Sequence, residues 1–219
     1  PLYGKGGTSR SNAIAFERAL LQYPWQDLMG IGTAVVAHTL SDLLHPSFDP
    51  SILKLAVLPN AFMIAPELRA AIQTKLQHGG RTVAWVYAPG IFGGGCRDGP
   101  CTPDLQAASQ LVGMPLRMNS TVAVPLETTF APAPGLLPPS LAGSSYGADL
   151  GEVAPWLSCD GADRATVLGH YGAAAGRKPS ACMSHEASHT SVFIGAPRPP
   201  LALWRALALN AGVHLYTSE

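Results

Sequence analysis

The string whose residue types most clearly suggest metal binding or catalysis is His185-Glu186-Ala187-Ser188-His189, which has the spacing H-E-x-x-H. On a helix, two histidines four residues apart face the same way and can hold zinc, while the intervening glutamate acts as a general base on bound water. The flanks do not favour a helix, because Ser and Thr surround the motif and the β-branched run Ser191–Gly195 follows it. The sequence therefore predicts a polar hairpin tip between two strands. A zinc site formed by His185, Glu186 and His189 is the alternative.

The second candidate is the turn that follows the predicted strand Thr82–Tyr87. Ligands in α/β folds bind outside the carboxyl ends of strands. A nucleophile elbow at this turn would need Cys or Ser, but the chain has Ala88-Pro89-Gly90 after Tyr87. We therefore predict no catalytic residue, metal or cofactor here. The remaining hypothesis is a small-molecule crevice lined by Asn60, Tyr87, Pro89 and Gly90.

The glycine run and the cysteines indicate no further chemistry. Gly93-Gly94-Gly95 lacks the G-K-[ST] continuation of a phosphate loop. Cys96 and Cys101 lie in one Gly/Pro-rich loop, where they either pair or remain free thiols. With Cys159 and Cys182 the chain has four cysteines, which are too few for a disulfide scaffold and too scattered to fix a compartment.

Composition limits the classes of partner. The 219 residues include 14 basic and 14 acidic side chains, and only 13% are charged. A neutral chain without a Lys/Arg cluster has no general attraction to nucleic acid or to an anionic membrane. No run of 18 apolar residues exists, so a transmembrane helix is not expected either. The length fits one domain spanning residues 1–219.

The elements that position these residues follow from periodicity and from Gly/Pro punctuation. The predicted helices are Ser11–Tyr23, Pro66–Leu76, Pro103–Val112 and Pro200–Ala211. The predicted strands are Thr33–His38, Lys54–Pro59, Thr82–Tyr87, Thr121–Leu126, Ala165–Tyr171, Ser191–Gly195 and Val213–Tyr216. Strand and helix alternate at α/β spacing, which predicts parallel strands with right-handed crossovers. The Pro/Ala/Gly/Ser-rich stretch 131–146 is expected to be an exposed excursion.

The helix Ser11–Tyr23 has no strand before it, although a doubly wound sheet normally opens with one. We expect either that Pro1–Tyr3 is the remnant of that strand or that the strand lies upstream. The chain is accordingly expected to be a C-terminal portion of a longer protein or a stand-alone remnant.

Four blocks of sequence carry a resemblance to a known family: Leu55–Ala61 with Val83–Gly90, Leu111–Met114, Val167–Tyr171 with Ser191–Pro197, and Leu203–Tyr216. These blocks resemble the glutamine-amidotransferase-like domain of β-galactosidase-type glycoside hydrolases, also called the β-galactosidase trimerisation domain. The resemblance covers roughly Ile31 to Tyr216, and 131–145 is its poorest match.

The resemblance implies a flavodoxin-like, class I amidotransferase-like three-layer sandwich with a mostly parallel central sheet and no amidotransferase nucleophile. In such enzymes the catalytic acids lie in a separate upstream barrel domain. The domain resembled here mediates subunit contact and can help to wall the substrate pocket. The expected function is thus a non-catalytic assembly domain that forms a homo-oligomer, trimer or dimer, beside an upstream barrel. A sugar-binding module at the strand ends and a zinc hydrolase are the alternatives.

Overall fold

A computed structural model describes residues 10–93, 102–120, 122–160 and 165–217 of the chain. The four α-helices are α1 (Arg10–Met29), α2 (Pro66–Lys75), α3 (Leu105–Val112) and α4 (Leu201–Asn210). The strands are β1 (Leu55–Leu58), β2 (Arg81–Val86), β3 (Leu116–Asn119), β4 (Val124–Pro125), β5 (Thr128–Phe130), β6 (Ser145–Tyr146), β7 (Glu152–Val153), β8 (Trp156–Cys159), β9 (Ala165–Tyr171), β10 (Pro179–His185) and β11 (His189–Ile194). No helix in these ranges is long and apolar enough to cross a membrane.

The main sheet contains seven strands in the order β1-β2-β11-β10-β9-β5-β6. β1 pairs with β2 and β2 with β11 in parallel, whereas every pairing from β11 to β6 is antiparallel. Two small antiparallel sheets, β3–β8 and β4–β7, complete the architecture. The predicted α/β class is confirmed, but the sheet is mixed and curled, and it is not the mostly parallel sheet that we expected.

The connections explain this difference. A parallel pair needs a crossover, usually helical, and α2 provides one between β1 and β2. β10 follows β9 after a short 3₁₀ turn, Ala173–Ala175, and β11 follows β10 after three residues. Links this short can join only antiparallel neighbours, so the carboxyl-terminal part of the sheet is a meander.

Most long predicted elements are present near their expected positions. α2, α3 and α4 begin or end within two residues of the prediction, and β9 has the predicted bounds. α1 differs most, because it continues through Pro24 to Met29. Pro disfavours an α conformation in the residue before it but does not forbid one.

Two predicted strands do not form. Thr33–His38 joins no described sheet, and Val36 is 63% exposed. The segment Val213–Tyr216 is also irregular; its last residue donates a backbone hydrogen bond to Gly32 O at 2.7 Å. β-propensity describes a fit to a half-buried pleated surface, and neither segment has a neighbouring strand to provide one. Thr121–Leu126 is reduced to β4, and Thr121 lies outside the described residues.

Most residues of the stretch 131–146 are exposed, but three of its apolar side chains are buried. Ala133, Leu137 and Leu141 are buried in the main core. Asn210 Nδ2 at the end of α4 donates to Leu136 O at 2.6 Å. Tight turns satisfy the local backbone, as in the hydrogen bond from Leu137 N to Ala133 O at 2.8 Å, and this lets Leu137 and Leu141 bury apolar surface.

A buried polar relay fixes α3 to the sheet. Trp85 Nε1 in β2 donates to Ser191 Oγ in β11 at 3.0 Å, and Ser191 Oγ donates to Val112 O at 2.5 Å. Val112 is the last residue of α3, where carbonyl groups lack an intrahelical partner. Gln77 Nε2 likewise donates to the neighbouring carbonyl of Leu111. Side chains from two strands and a loop therefore contribute the hydrogen bonds that hold the end of α3.

We expect Ser191→Ala to destabilise the chain by about 2–4 kcal/mol, because it leaves both the Trp85 indole N–H and the Val112 carbonyl buried without this partner. The measurement is urea unfolding followed by tryptophan fluorescence and circular dichroism.

Ser180→Ala is the matched control for this substitution. Ser180 lies on the adjacent strand β10 and is equally buried, but its Oγ has no hydrogen-bond partner among the described residues. We expect a change within about 1 kcal/mol, toward higher stability. If Ser191→Ala and Ser180→Ala lost the same free energy of unfolding, the hydrogen bonds of Ser191 would contribute nothing beyond its packing.

Candidate functional site

The two candidate sites lie at opposite edges of the main sheet. β1, β2, β9 and β11 run in one direction, and we call the edge where they end the carboxyl edge. Asn60, Tyr87, Pro89 and Gly90 follow β1 or β2 and so lie at this edge. The H-E-x-x-H string joins β10 to β11 at the opposite edge. In open α/β sheets it is the carboxyl edge that binds ligands.

Tyr87 makes the sharpest turn at the carboxyl edge. Its φ is +66°, in the left-handed region where a bulky non-glycine residue is a genuine outlier. Its backbone N–H continues the β11 ladder to Ile194 O at 2.8 Å. Its ring is fully buried, packs edge-on against Phe62 at 5.7 Å between centroids, and its hydroxyl donates to Pro155 O. The side chain therefore points into protein at the position that the sequence assigned to a ligand.

The rest of this turn is held by backbone and guanidinium contacts. Gly90, with φ +59°, donates its N–H to Ala61 O at 2.7 Å. Arg69 Nη2 donates to Gly90 O at 3.2 Å, and Nη1 donates to Ala107 O at 2.6 Å. A Cβ on Gly90 would lie 2.6 Å from Leu111 Cδ2, so the position requires glycine on two grounds.

Of the four predicted ligand-binding residues, only Asn60 is exposed; Tyr87, Pro89 and Gly90 are buried. The structure brings the four to one edge, and the bond between Gly90 N and Ala61 O connects their two loops. A ligand-binding role for them stays a prediction.

The chain segment 154–159 covers the carboxyl edge, and two tyrosines bind it. Tyr87 donates to Pro155 O, while Tyr171, at the end of β9, donates to Leu157 O at 2.8 Å. The Tyr171 ring also meets Trp156 edge-on at 5.2 Å. Gly195 lies beneath these groups and donates to Ser180 O at 2.7 Å. We call segment 154–159, with these contacts, the plug.

A disulfide anchors the end of the plug to the sheet. Cys159 of β8 is bonded to Cys182 of β10, and both residues are buried. The sequence did not predict this pair; the pair it considered, Cys96 and Cys101, lies outside the described residues.

Burial keeps the tyrosines of this edge protonated. It raises the pKa of Tyr171 well above its ordinary value, and the neighbouring tyrosines Tyr146 and Tyr87 add to the rise. Burial likewise raises the pKa of Tyr146. Tyr171 and Tyr146 therefore stay neutral and do not serve as bases near neutral pH, and the Tyr171 hydroxyl donates to Leu157 O as a neutral group.

At the opposite edge, the predicted hairpin is confirmed. β10 and β11 are antiparallel with His185 opposite Thr190, and Glu186 N donates to His189 O at 2.9 Å across the turn. His185 Nδ1 lies 3.1 Å from Thr190 Oγ1, so these two side chains share a face. His189 precedes Thr190 in the strand and projects to the other face. The helical geometry required by the zinc alternative is therefore not formed.

The remaining side chains of this turn have structural partners. Ser184 Oγ donates to Glu186 Oε1 at 2.6 Å, and Ser188 Oγ donates to Gln77 O at 2.9 Å. Burial lowers the pKa of His189, partly offset by Glu186. Within the described ranges, no three His, Cys, Asp or Glu side chains are grouped as a metal site requires.

Sequence reasoning missed the residues that shape the carboxyl edge. Tyr171 and Gly195 end predicted strands to which the sequence assigns no function, and Arg69 lies within a predicted helix. The available signal was a tyrosine and a glycine at the ends of two predicted strands. Their contact depends on the three-dimensional position of segment 154–159, which no local pattern encodes.

No family model matches the sequence, and no curated protein matches it significantly. Solved structures do share its fold. A cold-adapted β-galactosidase from Rahnella sp. R3 matches with a TM-score of 0.61 at 15% identity, over 87% of this chain and 26% of that one. A β-galactosidase from the haloarchaeon Halorubrum lacusprofundi gives 0.59 at 20% identity, over 90% and 27%. A GH42 β-galactosidase from G. stearothermophilus gives 0.57 at 15% identity, over 98% and 28%.

The chain thus spans about a quarter of the length of these enzymes. At these identities the likeness shows a common fold. This common fold agrees with the resemblance to a β-galactosidase domain that the sequence shows, and the agreement extends to the fold alone.

Proposed function

We propose that this chain is a non-catalytic accessory domain of a β-galactosidase-like glycoside hydrolase. The observation that carries the proposal is the match of 87–98% of the chain to 26–28% of several β-galactosidases. A match of nearly all of this chain to a minor part of a larger enzyme is what an accessory domain would give.

The geometry of the carboxyl edge supports a non-catalytic role. The sharp turn after β2 has the strained backbone that a nucleophile elbow uses. The residue at its apex is Tyr87, whose hydroxyl donates to the plug. This combination also favours the finer assignment, an amidotransferase-like trimerisation domain without its nucleophile, even though most pairings of the sheet are antiparallel.

We infer that the domain contributes to subunit contact and to the wall of a substrate pocket, beside an upstream barrel. Several large apolar side chains are exposed, and those that adjoin one another could contribute to such a contact: Ile52, Val36, Val122, Leu209 and Tyr216. Sugar binding at the carboxyl edge has less support, since three of its four predicted residues are buried.

Two measurements on the purified chain test this function. The chain is expected to show no saturable hydrolysis of a chromogenic galactoside, and light scattering over a concentration series is expected to show a dimer or trimer. Saturable hydrolysis would overturn the accessory role. A monomer at every concentration would remove the assembly role while leaving a pocket-wall role to be tested in the longer enzyme.

A further inference from the structure

Three side chains that carry hydroxyl groups lie side by side on the face of the main sheet that the plug covers. Thr128 of β5 is paired directly with Tyr146 of β6 on one side and with Tyr171 of β9 on the other. Side chains paired in this way across antiparallel strands project to the same face, with Cβ atoms about 5 Å apart. Tyr171 identifies this face, because its hydroxyl donates to Leu157 O of the plug. We call Tyr146, Thr128 and Tyr171 the hydroxyl row.

Two members of the hydroxyl row are buried without a hydrogen-bond partner. Thr128 is 0% exposed, and neither its Oγ1 nor the hydroxyl oxygen of Tyr146 has a partner among the described residues. Burying a hydroxyl without a partner is unfavourable, and most such groups in folded proteins bond to protein or to ordered water. The hydroxyl row therefore needs a further partner that can both donate and accept.

The orientation of Thr128 directs its hydroxyl to the tyrosines. A Cβ added to Gly169 would lie 2.9 Å from Thr128 Cγ2 and 3.5 Å from Ser180 Oγ, so the methyl branch of Thr128 faces Gly169 and Ser180. Oγ1 is on the other branch. Burial raises the pKa of Tyr146, and the nearby Thr128 hydroxyl partly offsets the rise although its geometry is not that of a hydrogen bond. Burial also raises the pKa of Tyr171, and Tyr146 adds to it, so the polar ends of the row are close together.

We propose that the hydroxyl row binds one internal water molecule, held by Thr128 Oγ1 and by the hydroxyls of Tyr146 and Tyr171. A buried water typically makes about three hydrogen bonds to polar groups that otherwise lack partners. The hydroxyls of Thr128 and Tyr146 can each donate or accept, and the Tyr171 oxygen can still accept while its proton is donated to Leu157 O. The neutral hydroxyls suit a neutral ligand. This inference is independent of the accessory function.

Two conservative variants test the site by removing one hydroxyl each. Thr128→Val and Tyr146→Phe leave the shape of the side chain nearly unchanged, and we expect each to lose one long-lived internal water relative to the parent chain. The measurement is ¹⁷O magnetic relaxation dispersion, which counts waters that exchange slowly with the solvent. Thr129→Val is the matched control, because Thr129 is the next residue of β5, is exposed and projects to the opposite face. It should keep the parent number of waters.

Urea unfolding gives a second readout with a definite sign. If water bridges the hydroxyl row, Thr128→Val lowers the unfolding midpoint, because the buried tyrosine hydroxyls lose a shared partner. If the Thr128 hydroxyl is simply buried without a partner, valine raises the midpoint. Loss of one water from both variants together with a lowered midpoint supports the proposal. A parent chain without a long-lived water, a full count in either variant, or a raised midpoint for Thr128→Val overturns it. None of these outcomes bears on the accessory function.

Discussion

Gly195→Ala is expected to destabilise the chain by about 4 kcal/mol or more, the largest effect of any single substitution considered. A Cβ at this position would lie 2.1 Å from Tyr171 Oη, 2.9 Å from Leu157 O and 3.0 Å from Ser180 O. Two of these atoms are backbone of neighbouring segments and cannot rotate away. Accommodating the methyl group would therefore displace the plug, and the expected observation is a greatly lowered urea midpoint.

Two further variants test whether steric clash of the new methyl group causes the loss of stability in Gly195→Ala. Gly172→Ala, beside Tyr171, has ordinary backbone geometry (φ −62°, ψ 176°), and its nearest neighbour is Glu127 Oε2 at 3.9 Å. We expect it to change stability by less than about 1 kcal/mol. Adding Tyr171→Phe to Gly195→Ala removes the closest clash and should recover part of the loss. A Gly195→Ala protein as stable as the parent would show that the plug does not pack this closely.

Removing the Cys159–Cys182 disulfide is the second large effect that we expect. The bond closes a loop with a sequence separation of 23 residues, for which chain entropy gives a stabilisation of about 3 kcal/mol. The double variant Cys159→Ala, Cys182→Ala should lose about that amount in urea unfolding. The plug should also become less protected in hydrogen exchange, because the bond ties its last residue to β10.

Peptide mapping without reductant provides the check on connectivity. A peptide containing Cys159 should be recovered covalently joined to one containing Cys182. Alkylation of both thiols in the native chain, before any unfolding, would contradict the cross-link, since both sulfurs are buried.

The sequence predicted elements well where the pattern was local. The hairpin at His185–His189 followed from the Ser/Thr flanks and the β-branched run, and β9 was predicted with its exact bounds. The prediction failed where a segment needed a distant neighbour. Thr33–His38 has strand composition, but no strand of the described structure lies beside it.

The four predicted ligand-binding residues lie at one edge of the sheet, but three of them are buried, and their ligand-binding role stays a prediction. Strand ends predicted that Asn60, Tyr87, Pro89 and Gly90 would lie together. The plug could not be predicted, because the hydrogen bonds from Tyr87 to Pro155 and from Tyr171 to Leu157 join residues far apart in the chain. The Cys159–Cys182 disulfide could not be predicted either, because the two residues meet only in the folded chain.

The mixed topology of the sheet also bears on how the chain reaches its native state. The β10–β11 hairpin joins residues that are close in sequence and can form early, on the microsecond timescale of short hairpins. The β2–β11 pairing brings Arg81 to His189 across roughly 100 residues, and loop closure of that length is entropically unfavourable until other contacts compensate. We therefore expect the meander of β9, β10 and β11 to act as the template on which β2, and then β1, assemble late and slowly.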